Sequence, residues 1–253
     1  MCTFADQAAM SPVIVQFGPI AIRWYGVMVA LTILGGTALA YRFGHRFGIP
    51  EGAFDRLLVP FVVVLVAGAR LGYVLSHPKE FTDLLEILRI DRGGLSSHGA
   101  LAAGFLHLTF FARRHGLPFW AMADAIVPVI PLGNVLVRFG NFMNGELYGD
   151  PTSLPWGVTF PGVPGGPRHP LQLYEMVAGA ALLALSFRWA KTRRFEGELF
   201  WKVILWTSLV RFGLDLLRSE ARIAGPFTLG QFPALLLVIA STWMLSRQQG
   251  KRA

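Results

Sequence analysis

The chain has 253 residues, 53% of them hydrophobic and only 15% charged, with a mean hydropathy of +0.50 and a formal net charge of +8. Soluble domains carry about a quarter charged residues, so there is too little polar surface here to cover a water-facing globule. The basic residues sit in short clusters beside apolar blocks, not in a stripe with interleaved aromatics, which argues against nucleic acid as a partner.

The one cysteine, Cys2, allows no internal disulfide framework and no paired metal thiolates, and the scattered histidines show no ligand spacing; neither a metal nor a cofactor is expected. Positions 1–12 lack a basic n-region and the first apolar block has no small-residue cleavage site after it, so no cleavable signal peptide is expected. The apolar material comes in blocks of about 20 residues, the length that crosses a bilayer as a helix. The expected fold is an all-α polytopic membrane protein, a single integral membrane domain over residues 1–253. Seven spans are predicted, at 20–41, 57–76, 94–112, 119–139, 171–190, 199–217 and 229–245.

In chain order, the first span opens on "IRWYG" and sets Tyr25 at its start. The second carries Arg70. The third begins with the polar run "GLSSHG", which holds His98. The fourth contains Pro128 and Pro131, which kink it, and closes on Arg138. Residues 141–170 follow, with six prolines and repeated glycines that exclude regular helix or central strand over most of the segment. An irregular cap is expected there. The sixth span carries Arg211, Asp215 and Arg218 at i, i+4 and i+7, on one helix face, where Asp215 can bridge to either arginine.

Lys and Arg set the orientation. Alternate loops on one side hold Arg42, Arg46, Arg56, Arg113, Arg114, Arg188, Lys191, Arg193, Arg194, Arg247, Lys251 and Arg252, which makes twelve. The other side holds Lys79, Arg89, Arg92, Arg168 and Arg222, which makes five. The twelve-rich side is expected to be cytoplasmic, with the N-terminus outside and the C-terminus inside.

A central membrane arginine costs about 2.5–3.5 kcal/mol on insertion scales, so three unpaired ones would cost on the order of 10 kcal/mol. An acidic partner, a water-filled cavity or an anionic ligand must offset that. Tyr25, His98, Asn141, Asn144 and Glu146 are placed by the span pattern at one depth near the outer interface, beside Arg138. Taken singly each has a plain structural role: belt aromatic, helix start, turn formers, and Glu146 as an acid for Arg138. Their shared depth on different spans is the signal. Two guanidiniums at headgroup level make a fork for phosphate, and an anionic phospholipid is the commonest phosphate at that depth.

The motifs resemble those of the bacterial prolipoprotein diacylglyceryl transferases. "GNVLVRFGNFMNGELYG" follows that family's signature of Arg, two residues, Asn, then Asn-Gly-Glu-Leu and a Gly. In the family's order come also "IRWYGVM" (22–28), "ARLGYVL" (69–75), "GGLSSHGALAAG" (93–104), "RHPLQLYE" (168–175), "VRFGLDLLR" (210–218) and "LGQ" (229–231). The resemblance implies transfer of the sn-1,2-diacylglyceryl group from phosphatidylglycerol to the lipobox cysteine of a preprolipoprotein, in the bacterial inner membrane and facing its outer leaflet. It implies an active region of Tyr25, His98, Arg138, Asn141, Glu146 and Arg211, with Gly149 closing the signature. Asn144 stands within the same run.

The residue types suit that chemistry. The thiolate of a cysteine is the attacking species, and displacement at the glyceryl carbon expels a phosphate that Arg138 and Arg211 would stabilise. His98 is a candidate base for the thiol, or else positions lipid or helix. The chain departs from the family at Thr207, where a Tyr is usual, and at Ser97 and Ala100 around His98. Two alternatives remain at this point: an anionic phospholipid transporter or flippase, and a divergent paralogue with an altered acceptor. Transporters tend to show two pseudo-symmetric halves with a site near the midplane, and this sequence shows no internal repeat.

Overall fold

The computed structural model describes residues 10–18, 20–81, 83–89, 94–218, 222–224, 227–228 and 230–250. Two strands come first, β1 (Val13–Phe17) and β2 (Ile20–Arg23), followed by α1 (Trp24–Arg46) and α2 (Glu51–Ser76). A 3-10 turn (Pro78–Glu80) leads to α3 (Leu84–Leu88), α4 (Ser97–Arg114), α5 (Phe119–Ile126) and α6 (Val129–Met143). Then come α7 (Leu171–Lys191), α8 (Glu198–Asp215), β3 (Arg222–Ala224), β4 (Phe227–Thr228) and α9 (Gln231–Gly250).

The all-α expectation needs correction, because β1–β2 and β3–β4 are antiparallel hairpins. "VIVQF" and "IAIR" are rich in β-branched residues, and Gly18 between them has φ +57°, so the chain turns back before any helix begins. The first span loses residues 20–23 to β2 for that reason. The fourth span breaks at Val127–Pro128 into α5 and α6, where Pro128 and Pro131 lack the N–H that would continue the ladder.

By length and composition four stretches can cross a membrane: Trp24–Arg46, Glu51–Ser76, Phe119–Met143 and Leu171–Lys191. The protein is a mostly helical membrane protein. α8 carries Glu198, Lys202, Arg211 and Asp215, and α4 ends on Arg113 and Arg114, which makes both more polar. The outside of the helices is apolar, with Val59, Val63, Leu75, Leu106, Phe110 and Leu236 all exposed. Asp124, Gln172, Ser186, Asp215, Gln231 and Ser241 are instead fully or almost fully buried. Apolar outside and polar inside is the arrangement lipid favours.

Two compact units divide the chain, Met1–Leu39 with Ile126–Ala253, and Ala40–Ala125. In the second unit α2 packs along α4, backbone against backbone. A Cβ on Gly72 would lie 2.8 Å from the Gly99 Cα, so no larger residue fits at this crossing. Arg70, on the same helix, is held by backbone carbonyls. Its guanidinium donates to the carbonyls of Ile87 (2.7 Å), Glu86 (2.7 Å), Gly94 (3.0 Å) and Arg89 (3.1 Å), and lies 5.0 Å from the Phe81 ring centroid. The cation satisfies the carbonyl end of α3 and staples the segment after α2 onto the helix pair.

In the first unit α6 packs on α7, α7 on α8 and α8 on α9. Gly179 allows α7 to approach α6: a Cβ there would lie 2.9 Å from the Pro131 carbonyl. Gln231 begins α9 and ties it to α8, accepting from Thr228 N–H (2.9 Å) and donating to the Phe212 carbonyl (3.0 Å). Residues 144–170 hold no helix or named strand, as the prolines predict, but α6 runs on to Met143 and so takes the first residues assigned to the cap.

A lysine at position 70 cannot fork to four carbonyls. Arg70→Lys is expected to loosen residues 83–89 by about 2–3 kcal/mol, seen as faster limited proteolysis at that segment with α6–α9 unaffected.

Candidate functional site

Arg138 and Asn141 lie three residues apart on one face of α6. Arg138 Nη1 donates to Asn141 Oδ1 at 3.2 Å, and Asn141 Nδ2 donates to Glu146 Oε1 at 2.7 Å. Asn144 Nδ2 reaches the same carboxylate oxygen at 3.2 Å. The acid beside Arg138 is therefore not Glu146, which is linked to it through Asn141. It is Glu175 of α7, paired with Arg138 Nε.

The second oxygen of Glu175 accepts from Arg218 Nη2 at 2.8 Å. Arg218 Nε lies 3.0 Å from Asp215 Oδ1, and Asp215 Oδ2 lies 3.5 Å from Arg211 Nε. Five charges thus alternate in one line, Arg138–Glu175–Arg218–Asp215–Arg211. Asp215 is fully buried, and neither of its oxygens has a well-aligned hydrogen bond among the described residues, so charge and proximity hold it. The bridge read from the i, i+4, i+7 spacing is present to both arginines. Arg211 is the loosest member, with a side chain 41% exposed against 17% for Arg138 and 5% for Arg218. Gly230 leaves it room, since a Cβ there would lie 2.9 Å from Asp215 Oδ2 and 3.4 Å from Arg211 Nη2.

The turn after α6 carries Glu146 between two left-handed residues, Gly145 (φ +68°) and Leu147 (φ +63°). Leu147 is the one non-glycine with positive φ among the described residues, a conformation costing about 1–2 kcal/mol. Gly149 then runs backbone to backbone with the end of α8: it bridges to Arg218, Asp150 N–H donates to Leu217 O (2.8 Å), and Gly149 N–H to His169 O (2.8 Å). A Cβ on Gly149 would lie 2.6 Å from the Leu217 carbonyl, so only glycine fits.

Beside this turn is a cleft of about 540 Å³ lined by Gly145, Glu146, Leu147, Tyr148, Val163, Arg168 and Arg218. Arg168 is fixed there by the carbonyls of Gly149 (3.4 Å) and Pro164 (3.1 Å), 5.1 Å from the Tyr148 ring centroid. The volume lies in the range of small-molecule sites. Two guanidiniums and one carboxylate on its wall suit an anion that also carries hydroxyl groups.

Of the residues expected from sequence, Arg138, Asn141, Asn144, Glu146, Gly149 and Arg211 belong to this one connected arrangement. Tyr25 belongs to the same unit, at the start of α1. Gly140 of α6 is packed on its backbone, a Cβ there lying 2.9 Å from Tyr25 Cα, while the Tyr25 side chain is 41% exposed. His98 is the second residue of α4, in the other unit, and its side chain lies outside the described residues. Glu175, Arg168 and Gln172 stand in the motifs without having been expected in the site, and Arg218 was expected only as a bridge partner of Asp215. A glutamate in the apolar helix "LQLYEMVAGAALL" was the available signal for Glu175.

The family model described as prolipoprotein diacylglyceryl transferase matches residues 12–247. This chain belongs to that family. A phosphatidylglycerol–prolipoprotein diacylglyceryl transferase of Thermus thermophilus is 40% identical over 269 residues, covering 92% of this chain and 96% of its own length. Proteins of the same name from Solidesulfovibrio magneticus and Geobacter sulfurreducens are 36% and 35% identical, each over 94% or more of both chains. Within the prolipoprotein diacylglyceryl transferase family, then, the Arg–Glu–Arg–Asp–Arg line of this member stands on the matched segment.

Removing the Glu175 carboxylate takes from Arg138 its acid and from Arg218 one of its two, both guanidiniums being of low exposure, which costs about 3–5 kcal/mol. Glu175→Ala is expected to lower the melting temperature in detergent strongly. Combining it with Arg218→Met should cost clearly less than the two single losses added, and strict additivity would show that the pair is not coupled.

Proposed function

We propose that this chain catalyses the reaction for which its relatives are named, moving the sn-1,2-diacylglyceryl group of phosphatidylglycerol to the lipobox cysteine of a preprolipoprotein. The observation that carries the reading is the family match over residues 12–247, together with the alternating charge line and cleft it encloses. In the proposed topology the helices form seven spans of a bacterial inner membrane protein, a single integral membrane domain with the N-terminus outside. Residues 144–170 cap the outer face, and the cleft opens toward the outer leaflet.

In the reaction a carbon–sulfur bond forms as the glyceryl carbon–oxygen bond breaks, and the electron pair of that bond leaves on glycerol phosphate. The thiol proton must go to a base before or during attack. Arg211, whose guanidinium is the most exposed of the line, and Arg138 hold the phosphate and stabilise the charge that grows on it as the bond breaks. Arg218 and Arg168, on the cleft wall, add to the same field. Asn141, Asn144 and Tyr25 orient the headgroup, and Glu146 accepts from its glycerol hydroxyls: both amides bond its Oε1 and no described residue bonds its Oε2. Gly149 keeps the turn against the end of α8. His98 is the proposed base for the thiol.

The test is to incubate purified protein with phosphatidylglycerol and a lipobox peptide and to measure the diacylglyceryl mass gain. Arg138→Ala and Arg211→Ala are expected to reduce product at least about hundredfold while the protein still inserts. Full turnover in either variant removes that arginine from the mechanism, and lipid crossing a liposome bilayer without thioether formation means a flippase instead. His98→Asn is expected to slow the reaction, with the deficit narrowing toward about pH 9, where the peptide thiol ionises unaided. A deficit that stays constant with pH assigns His98 a positional role.

A further inference from the structure

Every backbone and side-chain handle of Glu146 is held except one. Its N–H donates to the Asn141 carbonyl at 3.1 Å, its Oε1 accepts from two asparagine amides, and its carbonyl accepts from Gln172 Nε2 at 2.5 Å. The residue after it, Leu147, sits at φ +63°, which glycine adopts freely and leucine does not. Something must keep it there.

Gln172 is fully buried in the first turn of α7, and its Oε1 has no hydrogen-bond partner among the described residues. A buried amide with an orphaned oxygen is a poor choice for stability, and a leucine would fill similar space without one. What only the amide supplies is a donor at the Glu146 carbonyl. We propose that Gln172 is a positioning residue: it clamps the peptide between Glu146 and Leu147, keeps Leu147 left-handed, and so aims Glu146 Oε2 at the hydroxyl groups of the lipid headgroup in the cleft. This rests on the headgroup reading of Glu146 given under Proposed function. When the clamp is lost, Leu147 relaxes to negative φ and the carboxylate swings. The Arg138–Glu175–Arg218 line is untouched, because none of its pairs involves Gln172. The defect therefore falls on recognition of headgroup hydroxyls and spares the phosphate.

The experiment uses the full-length protein in mixed micelles with a lipobox peptide. Phosphatidylglycerol is the substrate, and phosphatidylmethanol, the same phosphodiester without headgroup hydroxyls, is the competing ligand. Gln172→Leu is expected to raise the half-saturating mole fraction of phosphatidylglycerol about tenfold, while the inhibition constant of phosphatidylmethanol stays within about twofold. Adding Leu147→Gly to Gln172→Leu should recover at least about threefold of that loss, since glycine holds the turn without the clamp. If both lipids weaken alike, or only turnover falls in step with folded protein, Gln172 is structural and the proposal is overturned. Glu146→Gln separates the two layers. Should it leave the preference for phosphatidylglycerol intact, the headgroup reading falls and the clamp with it; should it abolish the preference while Gln172→Leu keeps it, the clamp alone is wrong.

Discussion

One carboxylate, Glu175, sits between two guanidiniums that come from different parts of the chain, Arg138 on α6 and Arg218 just beyond α8. Taking an ion out of water costs several kcal/mol even after relaxation, so three charges of low exposure persist together only because each is matched. That need joins α6, α7 and the end of α8 at one level. The rest of the site hangs on this join. From Arg138 the order passes through Asn141 to Glu146, and from Arg218 it passes to Gly149 and the cleft wall. Losing Glu175 would disturb both branches at once, although it lines no part of the cleft itself.

The charge line needs a scaffold that can bring backbones close without a hydrophobic drive between helices. In lipid, close approach of small residues supplies it. Gly179 lets α7 meet α6 at the Pro131 carbonyl, and Gly140 lets α6 meet the start of α1 at Tyr25. Residues 144–170 solve a different problem, that of satisfying backbone groups where proline forbids regular structure. They do so with isolated pairs: Val158 and Arg168 exchange backbone hydrogen bonds at 3.0 and 2.9 Å, and Thr152 N–H donates to Pro167 O at 2.9 Å. The same pairing brings Arg168 to the cleft.

The helices were legible because hydropathy and length are summed over many residues and survive local detail, although four of the seven stretches read as spans are long and apolar enough to cross a membrane. The break at Pro128 was legible for a local reason, the missing N–H. The β1–β2 pair was not, since its β-branched run is as apolar as a span and only Gly18, at positive φ, distinguishes it. Within the site, Arg138, Asn141, Asn144 and Glu146 could be read together because a helix end and a turn keep them within nine residues. Asp215 could be read with Arg211 and Arg218 from helical spacing. Glu175 could not be matched to Arg138 in the same way, because the pairing runs between helices 37 positions apart and no periodicity reports it. The reading of Arg70 shows the converse. A membrane arginine was expected to need an acid, a water-filled cavity or an anionic ligand, and four backbone carbonyls also receive this one, partners that leave no mark in a sequence.

Counting charge along the line gives the reason an anion belongs beside it. In Arg138–Glu175–Arg218–Asp215–Arg211 three guanidiniums alternate with two carboxylates, so the line itself carries one positive charge more than negative. A phosphodiester lipid brings one negative charge and completes the balance. The proposed displacement turns that diester into a monoester with nearly twice the charge, so the field that merely neutralises the bound lipid becomes more favourable as the carbon–oxygen bond breaks. An interaction that strengthens along the reaction raises turnover, whereas one that only holds the ground state does not. A third carboxylate in the line would stabilise the fold further and remove this gradient. The loose, half-exposed Arg211, 3.5 Å from its acid, is where the molecule keeps it.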